Sequence, residues 1–234
     1  MNYASKKIGH RIVHVPDKEL LRTLRLRLRS FRGTCSVSTE ISTIGRSMGL
    51  ANLLSRHTKD RFFVVIDFVY AFHQVTRQMV ELYLAENRGI IDLNGCFVKM
   101  GEKEVIPIGF PTSNWLFEFF ASRALDQKLI SWQKNHNGHV TRNCDNVLAT
   151  WRRNSPYVFE DLIDIFCEFE IRVTPKKQKK WVEPIRFCGL MIPRRGKPIV
   201  SKRKSQKILE QAQQKSQRAV DGALQFLDSF DKVK

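Results

Sequence analysis

Residues 61–67, RFFVVID, form the stretch of sequence that decides the fold. Five aromatic or β-branched residues run without interruption into one carboxylate, and the polar residues HTKD precede the stretch. A short apolar run bounded by turn residues predicts a buried central strand. A carboxylate on such a strand costs free energy unless it is paired or bound to a metal ion. Asp67 is therefore a candidate metal ligand; a helix N-cap and a salt-bridged core residue are the alternatives.

Helical and strand patterns alternate on both sides of this strand. Apolar residues recur at helical spacing in residues 17–31, 71–87 and 159–169. Residues 114–132 form a long apolar run without Gly or Pro after Ser113, a candidate N-cap, and are predicted to be helical, as is the Gln- and Lys-rich tail from residue 201. Hairpins are predicted in residues 89–109 and 140–150, and a further strand in residues 185–192. This order favours an α+β fold with an antiparallel sheet, because a parallel sheet requires repeated strand–helix–strand units.

A second candidate metal ligand lies in residues 140–150, VTRNCDNVLAT. Asp145 stands among polar residues where a hairpin turn is predicted. Joining nucleotides requires two divalent cations about 4 Å apart, and therefore carboxylates that converge from separate strands. Mg²⁺ and Mn²⁺ prefer oxygen ligands of this kind. Spacing alone leaves open whether the two aspartates hold metal ions or have a structural role.

The chain is strongly basic, with 40 Lys and Arg against 23 Asp and Glu and a formal net charge of +17. Phosphate backbones are the commonest partner of such a surface, so we expect nucleic-acid binding. Solvated helix faces, an anionic membrane surface and ribosome-like packing are the alternatives. The basic residues concentrate towards the two ends of the chain, and the candidate nucleic-acid contacts are Arg22, Arg25, Arg29, Lys179, Lys180, Arg194, Arg195, Lys202 and Arg203.

Other features of the composition exclude several classes of protein. The five cysteines are odd in number and widely spaced, which argues against a disulfide framework and a zinc site. No apolar run approaches the roughly 20 residues of a membrane span, and residues 1–11 lack the pattern of a secretory signal. We therefore expect an intracellular protein with no membrane partner, located in the cytoplasm or, in a eukaryote, in the nucleus or an organelle.

Five sequence blocks carry a resemblance to a known family. They are FVVIDFVYAFHQV (63–75), IGFPTSNWLFEFF (108–120), VTRNCDNVLAT (140–150), FEIRVTPKKQKKW (169–181) and RFCGLMI (186–192). In this order they resemble the motifs of the reverse transcriptases, particularly the bacterial retron and group II intron branch. Residues 11–24 and 44–52 resemble the finger segments of the same family. The resemblance thus covers roughly residues 11–205.

The resemblance implies a right-hand polymerase with an antiparallel palm sheet flanked by helices. Residues 1–60 correspond to a fingers-like basic helical segment, residues 61–200 to the palm with part of the fingers, and residues 201–234 to a short basic helical tail in place of a thumb. A rudimentary thumb, a thumb supplied by another chain and a truncated reading frame remain alternatives. The implied activity is RNA-directed DNA polymerisation with Mg²⁺ or Mn²⁺, in which deoxynucleoside triphosphates extend a DNA or RNA primer on an RNA template.

The resemblance also assigns the metal ligands and the general acid. Asp67 and Asp145 would bind the catalytic metal ions, together with the backbone carbonyl of Phe68 and with Asn146. Lys177 would protonate the leaving pyrophosphate. Because four lysines crowd this segment, Lys176 is the alternative.

A third group of residues would contact the nucleotide. Phe72 would lie beneath the sugar and exclude a 2′ hydroxyl, and Arg46 would contact the triphosphate. The loop that contains Gly109, Pro111 and Ser113 would position the templating base and the nucleotide. The alternatives are a core phenylalanine, a solvated arginine and an ordinary turn before a helix.

The chain also departs from the family pattern at several positions. Asn146 replaces the second of the paired aspartates, and an amide is a poorer Mg²⁺ ligand than a carboxylate. Asn143 replaces the aromatic residue before them, and Asn114 and Glu118 replace a proline and an asparagine of the family. These departures leave open a catalytically inactive protein that binds RNA or RNA–DNA duplex. Phe72 disfavours a third hypothesis, an RNA-dependent RNA polymerase.

Overall fold

The computed structural model describes residues 3–37, 40–42, 49–84, 91–153, 155, 157–180, 184–200, 202–214 and 216–231. The side chains of residues 177–180, 203, 204, 218 and 229–231 lie outside this description. Two compact units account for the chain. The first contains Met1–Ser38, Phe68–Lys128 and Ile165–Arg172, and the second contains Thr39–Asp67, Leu129–Asp164 and Val173–Lys234.

The described chain contains both helices and short strands. The strands are β1 (Tyr3–Ile8), β2 (Arg11–Pro16), β3 (Phe62–Phe68), β4 (Val98–Met100), β5 (Lys103–Val105), β6 (His139–Asn143), β7 (Asn146–Trp151), β8 (Val173–Lys180), β9 (Ile185–Phe187), β10 (Leu190–Ile192) and β11 (Ile199–Val200). The α-helices are α1 (Lys18–Thr34), α2 (Gly49–Ser55), α3 (Ala71–Gln74), α4 (Arg77–Leu84), α5 (Ser113–Asn135), α6 (Tyr157–Glu168), α7 (Lys202–Gln213) and α8 (Gln217–Asp231). A 3₁₀ turn, Arg56–Lys59, follows α2.

A four-stranded sheet with the order β6-β7-β3-β8 is the centre of the second unit. Strand β7 pairs antiparallel with both β3 and β6. Residues 63–66 of β3 are buried, which confirms the predicted central strand. The antiparallel sheet confirms the predicted α+β class.

One face of this unit is closed by a second, three-stranded sheet of order β11-β10-β9. Its side chains form one hydrophobic cluster with residues of α2, β3 and β7. The buried members of the cluster are Ala51, Leu54, Phe63, Val65, Leu148, Ile185, Phe187, Leu190 and Ile192. Burial of this apolar surface is the main force that holds the two sheets together.

Aromatic rings form the core of the first unit. Trp115 and Phe119 of α5 stack on each other, and Trp115 also stacks on Phe31 of α1 with centroids 4.9 Å apart. Helix α1 begins where Asp17 caps it, since the Asp17 carboxylate accepts from the Leu20 amide at 2.8 Å. The predicted amphipathic helix of residues 17–31 is thereby confirmed.

Four of the described hairpins turn through only two residues. In each hairpin the first turn residue has a positive φ: Gly9, Gly101, Cys144 and Cys188. Two-residue turns of this kind match the right-handed twist of the strands, and glycine is the residue that adopts a positive φ without strain. The two cysteines therefore hold a conformation that is unfavourable for them.

Three elements differ from the sequence prediction. The hairpin β1–β2 lies in a segment for which only helix is predicted, because its exposed residues on both faces obscure the alternation. The pattern of residues 71–87 divides into α3 and α4, since Val75 and Thr76 interrupt the helix. The predicted strand of residues 185–192 is a hairpin, β9–β10. None of the helices in the described ranges has the length and apolar character needed to cross a bilayer.

Candidate active site

The register of the central sheet brings Asp67 to the candidate acidic turn. Asp67, near the end of β3, lies directly opposite Asn146, the first residue of β7. Side chains of opposed residues leave the same face of an antiparallel sheet, with Cβ atoms about 4.5–5.5 Å apart. The carboxylate of Asp67 and the amide of Asn146 therefore share one face, and Asp67 keeps 29% of its side chain exposed.

The second aspartate joins the same place through a hydrogen bond. Asp145 occupies the turn between β6 and β7, after Cys144, whose φ is +54°. The Asn146 Nδ2 donates to Asp145 Oδ1 at 2.8 Å. Asp145 therefore precedes the strand partner of Asp67 by one residue, and its carboxylate is held by the Asn146 amide. The two aspartates that the sequence singles out lie at the same end of one sheet.

Arg142 supports the turn from inside the protein. Its side chain is fully buried, and its Nη1 donates to the Cys144 carbonyl at 3.2 Å. Its backbone amide donates to the Ile41 carbonyl at 2.8 Å, which ties β6 to the preceding segment of the same unit. A guanidinium supplies several rigid donors, so it suits a turn that a shorter side chain would not reach. The sequence carries no signal that this arginine is buried.

Among the lysines whose side chains the structure describes, Lys176 contacts the site. Its Nζ lies 2.5 Å from Asp67 Oδ2, and half of its side chain is exposed. Lys177, the general acid that the resemblance implies, lies next to it in β8, but its side chain lies outside the described part of the chain. The alternative lysine is therefore the one with an observed contact to a candidate metal ligand.

The donor set suits a hard divalent cation. Asp67 and Asp145 supply carboxylate oxygens, Asn146 supplies an amide oxygen, and the backbone carbonyl of Phe68 follows Asp67 in β3. All of these are oxygen ligands, which Mg²⁺ and Mn²⁺ prefer. Asp67 Oδ2 contacts the Lys176 ammonium, so a metal ion at this oxygen would meet a positive charge that is already there. Within the described residues, no group of three or more His, Cys, Asp or Glu side chains is arranged to hold a metal ion.

A buried polar network supports the other end of the β6–β7 hairpin. His57 Nδ1 lies 2.8 Å from Thr150 Oγ1, and His57 Nε2 lies 2.8 Å from Thr141 Oγ1. Thr150 Oγ1 donates to Asp60 Oδ2 at 2.6 Å, and His139 Nδ1 lies 2.8 Å from the same oxygen. Because Thr150 gives its proton to Asp60, it accepts from His57, which then carries its proton on Nδ1.

This network requires a neutral histidine beside a charged carboxylate. Burial lowers the pKa of His57 to about 3. Burial raises the pKa of Asp60, but hydrogen bonds from His139 and Thr150 outweigh this effect and leave the pKa below its ordinary value. No pattern in the sequence predicts the network, because the partners of His57 are 84 and 93 residues away along the chain.

The turn also contacts the neighbouring hairpin. Asn143 Nδ2 donates to the Cys188 Sγ at 3.1 Å, and Cys188 lies in the turn of β9–β10. The resemblance relates this hairpin to a primer grip and position 143 to an aromatic residue. In this chain the amide at that position forms a bond between the two turns instead of offering a ring surface.

Phe72 belongs to the first unit, where it lies in α3. It is half-buried, and its ring centroid lies 5.4 Å from that of Phe117. It therefore packs on an aromatic neighbour while part of its ring remains accessible. Arg46, the predicted triphosphate contact, lies outside the described residues.

The loop before α5 is shaped by strand β2. Gly109 has a φ of +108°, and a Cβ atom on it would lie 2.5 Å from the His14 carbonyl oxygen and 2.9 Å from Val13 Cγ1. The His14 amide also donates to the Ile108 carbonyl at 2.7 Å. A residue without a side chain at position 109 thus allows β2 to approach this loop closely.

The remaining residues of the loop are largely committed to the fold. Ser113 is buried, and its Oγ donates to the Pro107 carbonyl at 2.5 Å. Pro111 is half-buried. The Ser113 backbone amide is also engaged, because it donates to the Phe110 carbonyl at 3.2 Å.

The predicted nucleic-acid contacts whose side chains the structure describes are all exposed. Arg22, Arg25 and Arg29 lie along one face of α1, where they line a groove of about 480 Å³ with Lys18, Leu21 and Leu26. Arg194, Arg195 and Lys202 are exposed in the second unit. The side chains of Lys179, Lys180 and Arg203 lie outside the description.

Of the comparisons with known proteins, the comparison with solved structures shows a similar fold. No protein-family model matches the sequence, and no curated protein matches it either. The chain is similar to the structure of telomerase from Candida albicans in complex with a TWJ fragment of telomeric RNA, with a TM-score of 0.52, 13% identity, and coverage of 82% of this chain and 45% of that chain. The chain therefore shares its fold with part of this telomerase.

Two further solved structures align less closely. Apo telomerase from Candida tropicalis, truncated from the C-terminal domain, gives a TM-score of 0.49, 12% identity, and coverage of 82% of this chain and 53% of that chain. Foamy viral protease–reverse transcriptase in complex with double-stranded DNA gives a TM-score of 0.48 and 16% identity, and the alignment covers 97% of this chain and 35% of that chain. The chain spans about half the length of the telomerase chains, or less.

Proposed function

We propose that this protein is an RNA-directed DNA polymerase of the retron and group II intron branch. The observation that carries the proposal is the opposition of Asp67 and Asn146, with Asp145 hydrogen-bonded to Asn146. It supports a pair of carboxylates converging from two strands, as two-metal phosphoryl transfer requires. The assignment to the retron and group II intron branch is supported by the five sequence blocks, which resemble the motifs of that branch and occur in the same order.

The proposed reaction joins a deoxynucleotide to a primer. The primer 3′ oxygen attacks the α-phosphorus of a deoxynucleoside triphosphate, and pyrophosphate leaves. Mg²⁺ or Mn²⁺, when bound, lowers the pKa of the attacking hydroxyl and offsets the charge on the phosphates. Asp67, Asp145, Asn146 and the Phe68 carbonyl would hold these ions.

Other residues would select the substrate and complete the proton transfer. Phe72 would exclude a 2′ hydroxyl, and Arg46 would contact the triphosphate. A lysine of β8, Lys176 or Lys177, would donate a proton to the leaving pyrophosphate. The exposed arginines of α1 would contact the template and primer backbones, because the ionic attraction of phosphate needs no particular sequence.

The alternative function is an inactive protein that binds RNA or RNA–DNA duplex. Two observations favour it. Asn146 stands where a second carboxylate is expected, and its amide nitrogen is occupied by Asp145. Asp67 is neutralised by Lys176. Both arrangements lower the negative charge that attracts a divalent cation.

Extension of a labelled DNA primer on an RNA template separates the two functions. Under the main proposal the purified chain extends the primer with Mg²⁺ or Mn²⁺, and Asp67→Ala and Asp145→Ala each lower the rate by at least about 100-fold, since each removes a proposed metal ligand. Asp164→Ala removes an exposed carboxylate from α6 and is the matched control, expected to retain the rate. Tight duplex binding without extension, unchanged by either aspartate substitution, would instead establish the binding protein.

A further inference from the structure

The ion pair between Lys176 and Asp67 occupies a position that a metal ion would need. The Lys176 ammonium lies 2.5 Å from Asp67 Oδ2, on the carboxylate that the proposed function assigns to the metal. An ammonium and a divalent cation at the same carboxylate oxygen repel each other, so each lowers the affinity of that oxygen for the other. Lys176 and a metal ion therefore compete for Asp67.

The geometry allows Lys176 to leave without a large penalty. Half of the Lys176 side chain and 29% of the Asp67 side chain are exposed. Exposed ion pairs are weak, because water solvates both partners when they separate. Four methylene groups and rotatable bonds give the ammonium a range of positions around its strand. The contact is thus suited to exchange and not to permanent closure of the site.

A nucleoside triphosphate is a stronger partner for this ammonium than one carboxylate. Its phosphate chain carries several negative charges, and lysine is a common phosphate ligand. When the ammonium moves to a phosphate, Asp67 Oδ2 becomes free for a cation. When the ammonium remains on Asp67, the carboxylate is neutralised and the phosphates lose one cationic contact.

We propose that Lys176 is a positioning residue that couples the loading of metal and nucleotide. Its ammonium holds Asp67 while no nucleotide is present and transfers to the triphosphate when one binds. This inference rests on the proposed function and adds to it an order of events: the site gains its full cation affinity only with a triphosphate present. Coupling of this kind is reciprocal. Removal of the Lys176 ammonium should strengthen the binding of the metal ion to Asp67, and removal of the Asp67 carboxylate should strengthen the binding of the triphosphate to Lys176.

The first test measures Mn²⁺ binding to the protein without nucleotide, by electron paramagnetic resonance of the free ion. Lys176→Met is expected to bind Mn²⁺ about three- to tenfold more tightly than the unsubstituted chain, because the competing charge is gone. Lys176→Arg is expected to bind Mn²⁺ as the unsubstituted chain does. Lys99→Met removes one charge from exposed strand β4 and controls for net charge.

The second test measures binding of a deoxynucleoside triphosphate without metal, by calorimetry in EDTA. Asp67→Asn is expected to bind the triphosphate several-fold more tightly, because it releases Lys176. The double variant Asp67→Asn, Lys176→Met is expected to lose this gain. Thermal melting of each variant checks that the fold is retained, which the exposure of Lys176 favours.

The outcomes distinguish this inference from the proposed function. If Mn²⁺ binds and Asp67→Asn abolishes the binding, but Lys176→Met binds Mn²⁺ no more tightly, the coupling is overturned and the metal site remains. If Mn²⁺ binding does not depend on Asp67 in any variant, both the coupling and the metal site are overturned.

Discussion

The side chain absent at Gly109 determines how strand β2 packs. A Cβ atom at this position would overlap the His14 carbonyl oxygen and Val13 Cγ1, and φ is +108°. Neither neighbour is the flexible end of a long side chain, since one is backbone and the other is a β-branched methyl group. The backbone itself would have to move to accommodate any larger residue.

Gly109→Ala is therefore expected to lower the free energy of unfolding by at least about 2 kcal/mol. Gly101→Ala is the matched control, because Gly101 has a φ of +62° but, among the described residues beyond its chain neighbours, no atom within 4 Å of the place that a methyl group would take. The Gly101→Ala substitution adds backbone strain but no steric overlap, so we expect it to lower the free energy of unfolding by about 1 kcal/mol. Urea unfolding measures both variants. Equal losses would mean that β2 does not pack on Gly109 as described.

The roles of some single residues can be predicted from the sequence, and the roles of others cannot. Asp67 stands out because it ends an apolar strand, and Asp145 stands out because it lies where a hairpin turn is predicted, so the candidacy of both is visible in the sequence. Arg142 does not stand out, because a charged residue in a strand is ordinarily solvated. Only the packing around β6 shows that its guanidinium is buried and donates to the Cys144 carbonyl.

At the scale of the element, the β6–β7 hairpin is held at both ends. Arg142 and Asn146 hold the turn, and the network of His57, Asp60 and Thr150 holds the open end. A hairpin fixed at both ends keeps the acidic turn in place relative to β3. Preorganisation of this kind lowers the reorganisation needed when charged ligands bind.

The network predicts acid destabilisation of the fold. In the folded protein the pKa of His57 is lowered to about 3, whereas unfolded histidine has a pKa of 6.5. Below pH 6.5 the unfolded state therefore binds the extra proton, and stability is lost as pH falls towards 3. The lowered pKa of Asp60 acts in the same direction at lower pH. From pH 7 to pH 5, His57 alone should lower the free energy of unfolding by about 2 kcal/mol.

Urea unfolding at pH 7 and at pH 5 checks this prediction, because the difference between the two free energies of unfolding is the predicted loss. His57→Gln is expected to reduce the loss between pH 7 and pH 5, because it removes the titrating group. His10→Gln substitutes an exposed histidine and should leave the loss unchanged. A His57→Gln variant with the full pH dependence would show that the network does not exclude the proton.

At the scale of the whole molecule, the dominant property is the net charge of +17. Binding of polyanions by such a chain releases counterions, so affinity falls steeply with salt concentration, with a slope of about 0.9 per phosphate contact on a logarithmic scale. We accordingly expect primer extension to give short products as salt rises. Long products at high salt would contradict the expectation that the chain binds the duplex mainly through ionic contacts.

The contribution of α1 to this surface is measurable through the salt slope. The triple variant Arg22→Gln, Arg25→Gln, Arg29→Gln should reduce the slope for duplex binding by roughly 2 to 3. Arg27→Gln is the control on the same helix, because the Arg27 guanidinium is held by the Asp92 carboxylate and the Asn94 carbonyl. It is expected to change stability and leave the slope unaltered. Fluorescence anisotropy across a salt series gives both slopes.

The sequence by itself determined the central strand, the longest helix and the charge of this protein. The buried run of β3, the uninterrupted apolar run of α5 and the turn at Asp145 are local patterns, and each reports the environment of its own segment. The excess of Lys and Arg is a property of composition and needs no structure. These features were enough to predict an α+β fold and to select both candidate metal ligands.

The tertiary structure alone decided which residues meet. The pairing of Asp67 with Lys176, the bond from Asn143 to Cys188 and the network around His57 join residues far apart in sequence. Periodicity carries no information about such partners, because a segment's apolar pattern states which face is buried but not against what. Strand register and packing fix these contacts, and both depend on the whole folded chain.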